Sequence, residues 1–205
     1  MIGVRNLVDA ANEIGATLVQ FSTDYIFDGL NGPYDEHAAA NPISAYGLQK
    51  LIAEHLVLQR ARRALIVRTT VVYGPEPQGK NFIYRLLAAL RRGREVAVPA
   101  DQIGTPTYAP VLADAVFDLL LTEARGVVNV AGRQLVSRDE FARETARTFG
   151  EDPGLVRAVE TVELGQAAPR PLRAGLRAES TERRLGRELL GYIDGLQRMS
   201  VEMGS

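Results

Sequence analysis

Tyr46 and Lys50 stand four residues apart in the stretch AYGLQK. On a helix that spacing sets both side chains on one face, one turn apart. A free phenol has a pKa near ~10 and is a poor proton donor or acceptor at neutral pH. An adjacent ammonium favours the phenolate, so a Tyr–Lys pair at this spacing suits acid–base work. Upstream, STDYIFDG over residues 22–29 follows a short apolar run. Thr23, at the end of that run, is placed to hold a substrate oxygen as it takes a proton. Asp24 and Tyr25 are placed to line the same cleft. Y-x-x-x-K alone also describes a solvated helix face. The succession S-T-D-Y, Gly/Pro loop, Y-G-x-x-K is what makes the acid–base reading specific.

The elements that must position these residues follow from apolar periodicity. Val4, Leu7, Val8, Ala11 and Ile14 mark a helix over 4–14, and Gly15 is its stop. Residues 17–22 (TLVQFS) read as a strand, 28–44 as a loop and 45–62 as a helix. ALIVRTTVVYG, residues 64–74, reads as a second, buried strand, and Phe82–Arg92 as a helix ended by Gly93. A short strand is expected at 95–98, irregular chain at 101–110, a helix at 109–122 and a third apolar strand at 126–132. Ser137 with Glu140 three residues on predicts a capping box, opening a helix that runs to Phe149. A strand is expected within 155–163, then a polar, Arg-rich stretch over 169–187. Strands alternating with helices of ten or more residues predict an α/β fold with a parallel sheet. The loop-rich part after residue 132 predicts a smaller appended lobe. Ligands in such sheets collect at the C-terminal ends of the strands.

Composition narrows the chemistry. With no cysteine, disulfides, thiolate catalysis and thiolate metal sites are out. Only His37 and His55 remain as imidazoles, one in a polar loop and one on a helix, so no metal site is expected. A net charge of −1 gives no electrostatic case for a nucleic-acid or anionic-membrane partner. No apolar run approaches the ~20 residues that span a bilayer, and the first residues lack a signal-peptide layout. A cytoplasmic protein is expected.

These motifs resemble the dTDP-4-dehydrorhamnose reductase family of extended short-chain dehydrogenases. The resemblance spans nearly the whole chain. It rests on GVRNLVDAANEIGATLVQFSTDYIFDG, PISAYGLQKLIAEH, VRTTVVYGP with GKNF, DQIGTPTYA, and APRPLRAGLRAESTERRLG. It implies a partial Rossmann-type parallel sheet with a small C-terminal substrate-binding lobe. Residues 1–73 and 109–131 would be the dinucleotide-binding part, and 74–108 and 132–205 the substrate-binding part. It implies reduction of the 4-keto group of a nucleotide-linked deoxysugar with NADP or NAD as cofactor. Thr23, Tyr46 and Lys50 would be the catalytic triad, with Ser22, Tyr46, Lys50 and Thr69 on the cofactor. Asp24, Tyr25, Val71, Asn81, Gln102, Thr105 and Arg170 would meet the substrate, with Thr107 nearby. Other readings stay open for two of these. Asn81 also fits a helix N-cap, and Arg170, with Arg173 and Arg177, also fits a solvated charged face.

The chain departs from the family pattern in two places. It contains no G-x-x-G-x-x-G or G-x-G-x-x-G, the loop that cradles a dinucleotide pyrophosphate. Val71 stands where the family has a tryptophan. The expectation is an N-terminally truncated fold in which strand 17–22 is an exposed edge. Its protein partner would be a second copy or a complementing N-terminal fragment, and the chain alone would bind NAD(P)H poorly. The alternative is a non-catalytic sugar-nucleotide-binding or regulatory protein on the same fold.

Overall fold

A computed structural model describes residues 2–204. The chain opens with α1 (Ile2–Glu13), then β1 (Leu18–Thr23), a 3₁₀ turn at Asp24–Ile26, and a long loop to α2 (Ala45–Arg60). β2 (Ala64–Thr69) is buried along its whole length. With β7 (Gly126–Asn129) these strands form a parallel sheet in the order β1-β2-β7. Alternating side chains on β2 serve two separate cores. Leu65 and Val67 pack against Leu112, Ala115 and Leu119 of α4 (Ala109–Leu121). Ala64 and Ile66 pack against Val8 of α1 and Val57 of α2. A strand buried on both faces needs the unbroken apolar run that residues 64–67 supply. β1 lies at the sheet edge, as expected, with Phe21 44% exposed.

The second half builds a smaller layer. α3 (Phe82–Leu90) leads to β4 (Val96–Pro99), which pairs in parallel with β9 (Val156–Val159). Leu86, Leu90 and Val98 pack there against Ala142, Ala146 and Val156, the two alanines lying on α5 (Arg138–Thr148). An aromatic group of Tyr73, Tyr108 and Phe141 joins this layer to Leu196 and Met199 of α7 (Tyr192–Glu202). The remaining helix, α6 (Glu179–Leu185), ends at Gly186 in a left-handed conformation.

The structure revises several boundaries. The single strand expected over 64–74 is broken at Thr70–Val71, where Val71 adopts φ +43°. Beyond the break, β3 (Val72–Tyr73) leaves the main sheet and pairs with β6 (Thr107–Tyr108). The irregular stretch 101–110 therefore holds β6 and also β5 (Ile103–Gly104), which pairs with β8 (Val136–Ser137). At α5 the capping box is half formed. Ser137 Oγ accepts from the Glu140 N–H at 3.4 Å, but the Glu140 carboxylate turns to Arg147 instead.

Two ties lock the loop 28–44 over the strand ends. Its backbone bonds to the 172–177 segment through Arg173 N–H to Gly29 O, Tyr34 N–H to Gly175 O and Arg177 N–H to Tyr34 O, all within 3.0 Å. Gly29 is at φ +77°, and a Cβ there would lie 2.5 Å from Pro171. The second tie is a buried bidentate pair. Arg68 Nη2 and Nε donate to the two Glu54 oxygens at 2.7 and 3.0 Å. Arg68 Nη1 also donates to Glu36 O of the loop, and its guanidinium covers the Phe27 ring.

Candidate active site

The C-terminal ends of β1 and β2 open into a cavity of about 490 Å³. Its floor is Thr23, Asp24 and Tyr25, with Thr70 and Val71 beside them. Tyr46 forms one wall, and Gln102, Ile103 and Gly104 another. Arg138 and Arg170 stand at the side supplied by the second half. The positive φ at Val71 is costly for a β-branched residue. It turns the chain out of the main sheet at the cavity's edge.

Local chemistry explains how each group is held. Thr23 caps the 3₁₀ turn, its Oγ1 accepting from Tyr25 N–H at 3.3 Å. Ser44 caps α2 by accepting from Gly47 N–H at 3.2 Å. Gly47 lets the helix approach this turn closely, since a Cβ there would lie 2.0 Å from Tyr25 O. The rings of Tyr46 and Tyr25 consequently meet edge to face at 5.6 Å. Tyr46 is half exposed and also borders a neighbouring hollow with Gln20, Gln49 and Lys50. Lys50 Nζ donates to Phe21 O at 3.1 Å and sits 5.9 Å from the Tyr46 ring centre. The phenol and the ammonium thus share that hollow, while the phenol and Thr23 share the main cavity.

Asp24 is buried, and both its oxygens are hydrogen-bonded. Thr70 Oγ1 donates to Oδ2 at 2.7 Å, Gly175 N–H reaches the same oxygen at 3.4 Å, and Thr23 Oγ1 lies 3.1 Å from Oδ1. Burial pushes the carboxyl above its ordinary range, and these hydrogen bonds oppose the shift only in part.

Arg138 was not anticipated from the sequence. Its guanidinium lies over Phe82 at 4.5 Å, and among the described residues no carboxylate pairs with it. Burial lowers its pKa, and the charges of Arg170 and Arg85 lower it further, against a raising influence of Tyr25. Arg170 Nη1 donates to the Tyr25 hydroxyl at 2.8 Å. The cavity therefore joins the hydroxyl-bearing Thr23 and Tyr25 to two guanidiniums, Arg138 and Arg170, that form no ion pair among the described residues. That arrangement receives an anionic group well.

Other expected residues lie elsewhere. Asn81 is the N-cap of α3. Its Oδ1 accepts from Ile83 and Tyr84 N–H, and its amide donates to Gly74 O at 2.9 Å, so it is spent on structure. Thr105 is buried against the 172–177 segment, accepting from Leu176 N–H at 3.0 Å, and borders a different small hollow. Thr107 donates inward to Thr70 O. Ser22 and Thr69 are buried at the ends of adjacent strands, and their hydroxyls have no hydrogen-bond partner among the described residues. Neither lines the main cavity.

Known proteins share this arrangement of elements. The family model described as the RmlD substrate binding domain matches residues 1–204. A dTDP-4-dehydrorhamnose reductase of Mycobacterium tuberculosis is 39% identical over 176 residues, covering 82% of this chain and 57% of that protein. One from Sinorhizobium fredii is 31% identical over 208 residues, covering 96% and 70%. The crystal structure of dTDP-4-dehydrorhamnose reductase from Bacillus anthracis in complex with NADP superposes with a TM-score of 0.91 at 33% identity, covering 98% of this chain and 71% of that one. The chain thus spans between 57% and 70% of the length of these two curated relatives. A family match over residues 1–204, together with a superposition of that quality, places the chain in the RmlD substrate-binding-domain family.

Proposed function

We propose that this chain carries the substrate side and the acid–base pair of an NAD(P)H-dependent reductase of nucleotide-linked 4-keto sugars. The observation that carries the reading is the position of Tyr46. It borders both the cavity floored by Thr23 and the hollow that holds Lys50. A proton donor between a substrate pocket and a cofactor pocket is what carbonyl reduction requires. Ser22, Lys50 and Thr69 would hold a nicotinamide cofactor, which would supply the hydride. Tyr46 gives the proton to the developing alkoxide and Thr23 holds that oxygen, while Lys50, anchored on Phe21 O, faces the neighbouring hollow on the cofactor side.

The unpartnered hydroxyls of Ser22 and Thr69 fit a cofactor at the strand ends, where parallel sheets receive dinucleotides. Arg138 and Arg170 take the substrate's phosphates. Within this reading, residues 1–73 and 109–131 serve the cofactor and 74–108 and 132–205 the sugar nucleotide. The open β1 edge is where a second copy or a complementing segment pairs. The dTDP-4-dehydrorhamnose reductases among the relatives favour a deoxythymidine diphosphate sugar.

The test is NADPH oxidation with a dTDP-4-dehydro-6-deoxyhexose, measured for this chain, for a version extended at the N-terminus by a glycine-rich strand–turn–helix unit, and for Tyr46→Phe in each. Turnover that the phenylalanine variant loses by ~10²-fold or more is expected. Turnover unchanged in that variant refutes the reading. Sugar-nucleotide binding without turnover in either form favours a non-catalytic binding role.

A further inference from the structure

We propose that Asp24 works as a neutral carboxylic acid, donating its proton to Thr23 Oγ1 and so freeing the Thr23 hydroxyl to donate to the substrate's carbonyl oxygen. The proposal rests on the reductase reading for the identity of that oxygen. The protonation state itself rests on the burial of the carboxyl among uncharged partners, and hydrogen-bond arithmetic shows what that state does for Thr23. Thr23 has one hydroxyl proton, and its oxygen already accepts from Tyr25 N–H. Were Asp24 a carboxylate, that proton would be held by Oδ1, 3.1 Å away. Thr23 would then have nothing to give a ligand in the cavity it lines. With the proton on Oδ1, the same contact runs the other way and the Thr23 proton turns into the cavity.

The opposite oxygen already has its donors, Thr70 Oγ1 and Gly175 N–H. The surroundings also favour the acid. Asp24 is 3% exposed, and its partners are two hydroxyls and an amide, none of them charged. The titratable groups on the elements around it are engaged elsewhere or make no hydrogen bond to it. Arg68 pairs with Glu54, Lys50 donates to Phe21 O, Arg170 donates to Tyr25, and Arg138, which lines the same cavity, lies over the Phe82 ring and makes no hydrogen bond to the carboxyl. Tyr46, Arg173 and Arg177 make no side-chain hydrogen bond to its carboxyl. Desolvation with no cation bonded to the carboxyl disfavours the anion. Burial raises the carboxyl's pKa accordingly.

Asp24 is a positioning residue in this scheme. It keeps its proton throughout, while Tyr46 delivers the one that ends on the product. An asparagine would reproduce the pattern, with its amide N–H donating to Thr23 and its oxygen accepting from Thr70 and Gly175.

The experiment is a pH titration of the aspartate side-chain carboxyl carbons by NMR in the ligand-free wild-type chain. The Asp24 signal is assigned through bonds. The expected result is an acid-form Asp24 at neutral pH, with Asp28 ionised in the same spectra. An Asp24 carboxyl that ionises by about pH 5, near the ordinary range, overturns the proposal. A second arm follows Asp24→Asn by thermal melting. A midpoint within about 4 °C of the parent at neutral pH, equivalent to roughly 1 kcal/mol, supports it. A fall of about 10 °C or more overturns it. Both arms are read without ligand, so a failure of the reductase assay leaves the Asp24 result standing and identifies itself separately.

Discussion

Replacing Glu54 with leucine should destabilise the chain far more than replacing Glu54 and Arg68 together. The two side chains are 2% and 7% exposed, and their two contacts measure 2.7 and 3.0 Å. Removing the carboxylate leaves a buried guanidinium with one carbonyl partner, Glu36 O, and the Phe27 ring. Breaking a buried pair on one side costs about 3–5 kcal/mol, whereas an apolar replacement of both sides is often neutral or stabilising. For a chain of this length each kcal/mol moves the melting midpoint by roughly 2–4 °C. Glu54→Leu should therefore lower the midpoint by roughly 6–20 °C. Glu54→Leu with Arg68→Met should recover most of that loss. The assay is urea denaturation of the parent, both single variants and the double, giving the coupling energy directly. A Glu54→Leu cost below about 1 kcal/mol, in the range of exposed pairs, would show that the pair does not hold α2 to the sheet. So would a double variant whose loss equals the sum of the singles.

Gly47→Ala should distort the site, because its Cβ would lie 2.0 Å from Tyr25 O. Turnover falls by an order of magnitude or more while far-UV circular dichroism stays near that of the parent. Asn81→Ala should cost about 1 kcal/mol, the usual loss of an N-cap, and leave dTDP affinity within about twofold; a larger affinity loss would return Asn81 to the ligand. Arg138→Met should weaken dTDP binding by roughly 10–100-fold, the worth of a hydrogen bond to a charged group, and flatten its salt dependence by titration calorimetry. Unchanged affinity would remove Arg138 from the phosphate subsite. Asp28 accepts from Leu30 N–H, Tyr34 and Asn41, which together hold its pKa below the usual value of 3.8. A depressed acid contributes stability above its unfolded pKa and loses it as pH falls through the folded one. The parent should thus lose stability below about pH 4 more steeply than Asp28→Ala. Tyr108 moves in the opposite sense, its pKa pushed up to about 12 by burial and by Glu202. The folded state holds that proton longer, so stability should fall as pH climbs from about 10 toward 12. Tyr108→Phe should abolish that part of the alkaline slope in urea titrations.

The part of the site that was legible in advance is the part written in short stretches of chain. Tyr46 and Lys50 are related by helix geometry alone. Thr23, Asp24 and Tyr25 sit where an apolar run ends, and a strand end is recognisable from its neighbours. The rest depends on contacts that no local pattern encodes. Gly175 reaches Asp24 across 151 residues, and Arg170 reaches Tyr25 across 145. Arg138 was hidden because it follows a capping serine, where a basic residue looks like an ordinary helix start; the signal available was its neighbour Phe82 in GKNF, which became meaningful only once α3 and α5 were side by side. The strand expected over 64–74 failed for a different reason. Val71 and Val72 have strand-forming side chains, but Thr107 bonds to the backbone on either side of the break, its N–H to Val71 O and its hydroxyl to Thr70 O. The tertiary bonds outweigh the local preference.

The stitching of loop 28–44 to residues 172–177 has a consequence for how the chain matures. Synthesis runs from the N-terminus, so Tyr46 and Lys50 emerge well before the segment that closes the cavity over Thr23. Until that segment arrives, the Asp24 carboxyl lacks its Gly175 partner and meets water. The pocket is consequently a late product of folding, governed by loop closure over more than a hundred residues. A nascent chain would show helical protection around Tyr46 long before the cavity beside Thr23 is closed.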